Sequence, residues 1–470
     1  MKKYDILVIG GGPAGVQAAI SARNTNPEKT IALIRKEQKA LIPCGIPYIF
    51  HSLNSVDENI LPDGILHKNH VDLIIGEVVE RRGMTIILKD QQKLAFRKLV
   101  LAAGSIPVIP KIPGIDLHGV HVLTKSYDDL VELRREVISA ARVLIVGGGY
   151  VGVELADELA KMGKSVIMVE QMASILPTSV DPEFSSLIKE KLEEKGVEIK
   201  TGTAVEAFVD EKTDRKCVLQ NGQSIQFDLA ILSIGFSPNR KLPEILGLDC
   251  DKRYGVLVDE YMRTSDENIF AAGDCAVHRD CYTGNCKPTM LASVAMSQGR
   301  LSGANLFSIN LMKTFAGVLG SFATKVANSS IGVTGLTERQ AKTLGIEYVV
   351  GRAETVDHHP GKLPNTSKVV VKLIFASHSH VLLGAQAFGG DSTGELINML
   401  SVIIQNKMTD MEIDTIQIGT HPLLTASPLA YPVITATVDA IMKWYPNPDK
   451  PENLVDLEIE VDPNSAGMIN

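Results

Sequence analysis

The chain has 470 residues, of which 45% are hydrophobic and 22% are charged, and its formal net charge is −8. This composition is typical of a globular α/β protein of roughly two to four domains, and the negative charge gives no reason to expect a nucleic-acid partner. No apolar stretch reaches the ~18 residues of a membrane span and Met1-Lys2-Lys3 leads directly into a strand pattern rather than a signal peptide, so we expect a cytoplasmic protein with no membrane partner.

The first motif is a glycine turn, residues 10–15 (GGGPAG), between a buried strand pattern at 4–9 and a small-residue helix pattern. Such a turn lets the backbone approach a pyrophosphate, while the helix start offers free amides to it. The next strand pattern ends at Arg35 instead of the usual ribose-binding carboxylate, so Glu37 or the backbone alone must hold the first ribose. The predicted contacts are Gly10, Gly12, Pro13, Ala14, Gly15, Arg35 and Glu37.

A lone cysteine follows, Cys44, within Ile42–Tyr48 (IPCGIPY). Pro47 suits the first turn of a helix, which would place Cys44 at a positive helix end. A lowered thiol pKa there makes a better nucleophile. The sequence therefore predicts a reactive thiol, the alternative being an inert cysteine among apolar residues.

A second glycine turn, residues 147–152 (GGGYVG), follows a strand pattern at 142–146 and opens another helix. The next strand pattern ends at Glu170, about 20 residues past the glycines, where a carboxylate accepts hydrogen bonds from a ribose 2′-hydroxyl and repels a 2′-phosphate. We therefore expect NADH to be preferred over NADPH. One such turn could be simple strand-to-helix geometry, but two in this context predict two dinucleotide sites. The predicted contacts are Gly147, Gly149, Tyr150, Val151, Gly152, Glu154 and Glu170.

Two later stretches also read as strands that enter glycine turns, residues 99–107 and 268–276, and residues 233–239 resemble the second signature of a nicotinamide-binding domain. A glycine turn of this kind can run close to a ligand. The last one carries Asp274 at its tip, which could bind a ligand hydroxyl or simply cap a helix. The candidate cofactor contacts are Ala103, Gly104, Gly235, Gly273 and Asp274.

Together, and in this order, the motifs resemble the flavoprotein disulfide reductases with two dinucleotide-binding domains, the group of glutathione reductase, lipoamide dehydrogenase and NADH oxidase. The resemblance implies an α/β fold: two Rossmann-like dinucleotide-binding domains plus a C-terminal α+β dimerisation domain. It implies FAD at the first turn, with Asp274 on the ribityl chain, and NADH at the second. It further implies that the Tyr150 ring covers the flavin until NADH displaces it, and that Glu154 reaches the nicotinamide amide.

Cys44 decides the subclass within this group. Most members carry a Cys-x4-Cys pair, but here the residue five positions on is Ile49, so the cycle must use a sulfenic acid or a mixed disulfide. The Cys44 flank most resembles the coenzyme A-disulfide and sulfur reductases. This implies electron flow from NADH through FAD to Cys44 and on to coenzyme A-disulfide or polysulfide, with coenzyme A as substrate or mixed-disulfide partner. The alternatives are an NADH oxidase or peroxidase, with oxygen or peroxide as acceptor, and a redox sensor with negligible turnover.

The domains are expected to follow the motifs. We predict a discontinuous FAD-binding domain (1–112 and 250–320), an NAD(P)H-binding domain (113–249), a dimerisation domain (321–445) and an extended tail (446–470). In the family that the motifs resemble, this strand-rich third domain forms a C2 dimer, so the resemblance implies a homodimer.

Two C-terminal residues are candidate proton donors for the thiolate that disulfide cleavage releases. His421 resembles the acid/base histidine of lipoamide dehydrogenase, but the position of its orienting glutamate holds Ala426. Tyr431 is a possible counterpart of the interface tyrosines of the coenzyme A reductases. A surface histidine without a catalytic role is the alternative.

The spacing of Cys275, Cys281 and Cys286 is unusual. It suits a reduced loop, an auxiliary disulfide or, with His278, a metal site. We favour the reduced loop and predict no metal.

Overall fold

The computed structural model describes residues 1–211 and 214–444. The predicted tail at 446–470 lies outside the described residues. None of the helices in the described ranges has the length and apolar character that a bilayer span requires.

Two parallel five-stranded sheets share the order of four strands, with the glycine-turn strand central, but their fifth, edge strands come from different places in the chain. Their strands are hydrophobic almost throughout because helices or loops cover both faces. The edge strand Ile269–Ala271 of the first sheet comes from much later in the chain than its neighbours. The first sheet runs Ile269–Ala271, Lys98–Leu101, Ile6–Ile9, Ile31–Arg35, Asp72–Ile75, and the second Val120–Val122, Leu229–Leu232, Arg142–Val146, Ser165–Glu170, Glu198–Thr201.

The third large sheet is antiparallel and lies in the C-terminal part of the described chain. Four smaller sheets accompany the three large ones. The antiparallel sheet runs Phe322–Val326, Ser329–Gly335, Leu382–Gly389, Lys368–Ala376, Tyr348–Val356. The small sheets consist of Lys2–Lys3, Lys93–Ala95, Thr85–Leu88 and Val78–Arg82; Val205–Glu211, Asp214–Leu219 and Ser224–Phe227; Ser105–Pro107 with Phe236–Pro238; and Cys250–Asp251 with Gly255–Val256.

Helices cover these sheets, and the predicted α/β class with two Rossmann-like units and a C-terminal α+β unit is confirmed. The residue boundaries of the domains remain predictions. The α-helices are Pro13–Thr25, Gly64–Lys68, Tyr127–Ser139, Tyr150–Lys161, Pro182–Glu193, Lys241–Leu246, Ala292–Ala304, Glu338–Thr343, Thr393–Gln405, Asp410–Asp414 and Pro432–Trp444, and the 3₁₀ turns are Pro43–Gly45, Pro47–Phe50, Val56–Asn59 and Pro428–Ala430.

One hydrophobic core joins three parts of the molecule. It contains the helix-facing side of the second parallel sheet, the apolar residues that follow Cys44, and part of the antiparallel sheet. Ile49 and Phe50, at 0% and 1% exposure, lie in this cluster together with Val153 and Ile331. The segment that carries Cys44 is therefore fixed between the second unit and the C-terminal sheet.

Candidate active site

Both glycine turns have geometry that excludes side chains. Gly10 and Gly147 have φ of +119° and +111°, and a Cβ on Gly10 would lie 2.0 Å from the carbonyl oxygen of Ala102. A Cβ on Gly15 would lie 1.9 Å from the oxygen of Gly10, and one on Gly152 would lie 2.0 Å from that of Gly147. Strand and helix therefore approach at both turns as closely as a dinucleotide fold requires.

The same turns leave room for a ligand. A Cβ on Gly12 or Gly149 would meet no atom within 4 Å. Both residues are helix N-caps without a side-chain cap, so the first amides of each helix are available to an anion. Gly104 and Gly235, with φ of +66° and +101°, also face open space. These residues fit two dinucleotides, FAD among them.

Asp274 belongs to a small polar cluster. Its Oδ2 accepts hydrogen bonds from Ser105 Oγ (2.6 Å) and Lys125 Nζ (3.2 Å). Lys125 Nζ also donates to Ser105 Oγ at 2.7 Å and lies 4.6 Å from the centre of the Phe236 ring. No sequence motif marks Lys125, which simply follows the edge strand Val120–Val122, so only the tertiary structure identifies it.

The two strand-end residues behave differently. Glu170 is buried, and its two carboxylate oxygens accept hydrogen bonds from the amides of Gly148 and Met172, each at 2.7 Å. Arg35 is also buried, but its guanidinium pairs with Asp63. The carboxylate of Glu37, 42% exposed, has Lys36 as its nearest cation at 3.7 Å.

Cys44 lies in the 3₁₀ turn Pro43–Gly45, and its side chain is exposed. Buried Asn59 pins this turn, because its Nδ2 donates to the Ile42 carbonyl at 3.0 Å and a Cβ on Gly45 would lie 1.9 Å from its Oδ1. Pro47 begins only the four-residue 3₁₀ turn Pro47–Phe50. The expected helix end behind Cys44 is wrong, since so short a turn aligns too few peptide dipoles.

The pKa of the Cys44 thiol is raised, not lowered as the sequence predicted. Burial of the group by surrounding protein atoms is the largest cause, although the side chain keeps solvent contact, and the charge of Glu154 adds to it. Lys125 opposes the shift and Asp274 reinforces it. The prediction failed chiefly because burial disfavours the thiolate, and because the carboxylates of Glu154 and Asp274, which are distant in sequence, add to that effect while Lys125 opposes it.

Tyr150 and Glu154, on the helix Tyr150–Lys161, meet the first strand of the C-terminal sheet. The Tyr150 and Phe322 ring centres are 5.2 Å apart, and Thr324 Oγ1 donates to Glu154 Oε1 at 2.6 Å. Burial raises the pKa of Glu154 to about 7, against the hydrogen bond from Thr324. The charge of the Cys44 thiolate contributes to the raised pKa of both Tyr150 and Tyr48. Tyr48, Phe322 and Thr324 were not predicted.

The structure therefore brings Cys44, Tyr150, Glu154 and Asp274 into one electrostatic neighbourhood. The C-terminal candidates lie elsewhere in the described chain. His421 is exposed, and its Nδ1 accepts the Leu423 amide at 3.2 Å within its own loop. The Tyr431 hydroxyl donates to Met399 Sδ at 3.9 Å. Their action across a dimer interface stays a prediction.

The other candidate cysteines are free thiols. Cys275 is fully buried, and burial raises the pKa of Cys281 to about 12. Among the described residues, the group close enough to share a metal ion is Asp181, Glu183 and Glu338. The ammonium of Lys372 already bonds all three carboxylates at 2.6–2.8 Å.

The chain has two turns of the dinucleotide-binding type and a lone thiol between them in sequence. The C-terminal sheet contacts the same site through Phe322 and Thr324. This arrangement is that of an oxidoreductase with two nucleotide cofactors. The chain belongs to the pyridine nucleotide-disulphide oxidoreductase family, whose pattern it matches over residues 4–299, with the family's dimerisation domain over 321–429. It is thus an NAD(P)H-dependent flavoprotein oxidoreductase, and FAD is its implied prosthetic group.

Relatives carry two kinds of name. An NADH oxidase of Methanocaldococcus jannaschii is 30% identical over 93% of this chain and 98% of its own. An NAD(P)H coenzyme A polysulfide/persulfide reductase of Pyrococcus horikoshii is 31% identical over 83% of this chain and 88% of its own. The solved NAD-dependent persulfide reductase from A. fulgidus superposes with a TM-score of 0.86 at 29% identity, over 94% of this chain and 84% of its own.

Proposed function

We propose that the protein uses NADH to reduce a low-molecular-weight disulfide, coenzyme A-disulfide, or polysulfide, with Cys44 as the attacking thiol. The observation that carries this proposal is the Cys44 site. The thiol is exposed, whereas the position five residues on is occupied by buried Ile49. Cys44 therefore has no resolving cysteine at that position, while an external disulfide can approach it.

Bound FAD would supply the two-electron chemistry between NADH and the thiol. We propose that Gly10, Gly12, Gly15 and Asp274 contribute to its site. NADH would bind at Gly147, Gly149 and Glu170. The Glu170 oxygens each accept one backbone amide, and a carboxylate has further lone pairs for ribose hydroxyls.

The thiol step follows from disulfide-exchange chemistry. The Cys44 thiolate attacks one sulfur of the acceptor, so that a new S–S bond forms while the old one breaks and its electron pair leaves with the second thiolate. That thiolate takes up one proton, for which His421 or Tyr431, brought across a homodimer interface, is the proposed donor. Two electrons from NADH would then cleave the mixed disulfide, which returns the Cys44 thiolate and releases the other half of the acceptor as a second thiolate.

The second candidate function is that of an NADH oxidase or peroxidase. The similarity to the NADH oxidase of M. jannaschii, which spans nearly the whole of both chains, favours it. A lone thiol also suits a sulfenic acid cycle. The flank of Cys44, which most resembles that of the coenzyme A-disulfide and sulfur reductases, is what favours the disulfide acceptor. For either activity we propose a cytoplasmic location, because thiols remain reduced there. We also propose a homodimer, since the chain carries the family's dimerisation domain.

The test is anaerobic NADH oxidation by wild type and Cys44→Ser, with coenzyme A-disulfide or polysulfide as acceptor, and a parallel aerated run without either. We expect anaerobic turnover that Cys44→Ser abolishes. Turnover only with oxygen or peroxide would instead identify an oxidase or peroxidase. Absence of turnover with every acceptor would leave the redox-sensor hypothesis.

A further inference from the structure

The first dinucleotide unit lacks the carboxylate that its strand end should provide. In the second unit Glu170 ends its strand and lies against Gly148, since a Cβ on Gly148 would be 3.1 Å from Glu170 Cβ. In the first unit Arg35 occupies the same place, and a Cβ on Gly11 would be 2.6 Å from Arg35 Cδ. The two side chains thus lie on the same part of their glycine turns but carry opposite charges.

Four of the five N–H donors of the Arg35 guanidinium already have partners. Its Nη1 and Nη2 bond Asp63 Oδ1 and Oδ2 at 2.5 and 2.8 Å, as a bidentate pair. Its Nε donates to the Glu37 carbonyl at 2.9 Å, and Nη2 also donates to the Gln38 carbonyl at 2.8 Å. Since the Arg35 side chain is only 2% exposed, its structural role is to hold these partners.

Of these partners, Asp63 still has hydrogen-bonding capacity for a ligand. A bidentate pair fixes its carboxylate in orientation. The side chain is still 36% exposed, and a carboxylate offers about four lone-pair positions, of which Arg35 uses two. The Glu37 carboxylate, by contrast, has no such anchor, and Arg35 contacts only the backbone of that residue.

We propose that Asp63, held by Arg35, supplies the carboxylate for the adenosine ribose of FAD in place of a strand-end acid. The ribose 2′-hydroxyl then donates a hydrogen bond to Asp63, as in other dinucleotide folds it donates to the carboxylate that ends the strand. This inference rests on the FAD site and not on the electron acceptor. The experiment therefore measures flavin binding and does not depend on catalytic turnover.

The experiment compares FAD with an FAD analogue whose adenosine lacks the 2′-hydroxyl. Full-length protein loaded with either flavin is diluted, and the release rate is followed by flavin fluorescence. For wild type we expect the analogue to leave at least about tenfold faster than FAD, the effect of one hydrogen bond to a charged group. For Asp63→Ala, which leaves no side-chain acceptor at this position, the two release rates should become equal within about twofold. For Glu37→Gln, which changes the competing acidic residue that the sequence offers for this ribose, the wild-type ratio should persist.

The ratio cancels any general loosening of the site, because such loosening accelerates both flavins alike. If Asp63→Ala does not retain flavin, because Arg35 is left unpaired, the double variant Arg35→Gln/Asp63→Ala takes its place with the same expectation. A wild-type ratio in the Asp63 variant, or its loss in Glu37→Gln, would overturn the proposal. Equal release of both flavins from wild type would overturn it as well.

Discussion

The two dinucleotide units have nearly the same backbone but are differently equipped. Their glycines meet the same steric limits, and four of the five strands in their parallel sheets follow the same order. The first unit places neutral Gln17 where the second has Glu154, and it ends its strand with Arg35 where the second has Glu170. Backbone geometry thus makes both units able to bind a dinucleotide. The side chains differ in charge at the strand end that faces the ribose, and only the second unit carries an acidic residue on its helix at this position.

The units also dock differently on their neighbours. The first helix packs on Ala292–Ala304 through glycines, since a Cβ on Gly299 would lie 2.5 Å from the Ala14 oxygen. The second unit meets the C-terminal sheet through a buried ion cluster. There Lys372, 1% exposed, bonds Asp181 and Glu183 of the second unit and Glu338 of the C-terminal part.

The largest effect is expected from Lys372→Met, which breaks that docking. Three carboxylates then lose their common cation, so the free energy of unfolding should fall by roughly 3–5 kcal/mol in urea titrations. The control is Lys325→Met, which removes an exposed pair with Asp391 and should cost at most about 1 kcal/mol. Equal stability of the two variants would show that the cluster does not hold the unit.

Next in size is Gly10→Ala compared with Gly147→Ala. Each puts a Cβ at positive φ within 2.7 Å of a carbonyl oxygen. We expect Gly10→Ala to lower the flavin-to-protein ratio, with a roughly hundredfold weaker FAD affinity, and Gly147→Ala to keep flavin but raise the KM for NADH. Gly83→Ala, at φ +57° with open space, controls for strain alone. Loss of flavin from Gly147→Ala would contradict the assignment of the two units.

Glu154→Gln tests the titratable group of the second unit. Its pKa rises from 4.5 in the unfolded chain to about 7 in the folded protein. Below 4.5 both states are protonated. As pH rises to about 7 the folded state holds the extra proton, so the stability of wild type relative to the variant falls, by about 3 kcal/mol at most. Urea unfolding of wild type and Glu154→Gln at pH 4, 6 and 8 measures this difference in stability. A difference independent of pH would refute the shift.

The smallest effect is expected from Glu170→Gln. The neutral amide no longer repels a 2′-phosphate, so the kcat/KM ratio of NADH to NADPH should fall about tenfold. Glu37→Gln, at the corresponding end of the first unit, should leave that ratio unchanged. A fall in the Glu37 variant would mean that the nicotinamide nucleotide uses the first unit.

The sequence predicted most of the local structure at the site. The strand Arg142–Val146 has its predicted bounds, and the next strand ends at Glu170 as expected. The absence of a second cysteine at Ile49 also needed no structure. The Pro47 helix was wrong, because proline is as compatible with a short 3₁₀ turn as with an α-helix, and the packing of Ile49 and Phe50 into the shared core is not visible in the sequence.

The sequence by itself determined the two glycine turns, the strands before them and the singleness of Cys44, because these depend on neighbouring residues and on the φ that only glycine tolerates. Only the tertiary structure decided the pairs Lys125–Asp274 and Arg35–Asp63, the contact of Thr324 with Glu154, and the sign of the Cys44 pKa shift. Each depends on charges and burial contributed by segments far apart in the chain, and electrostatic energies follow distance in space and desolvation rather than distance in sequence.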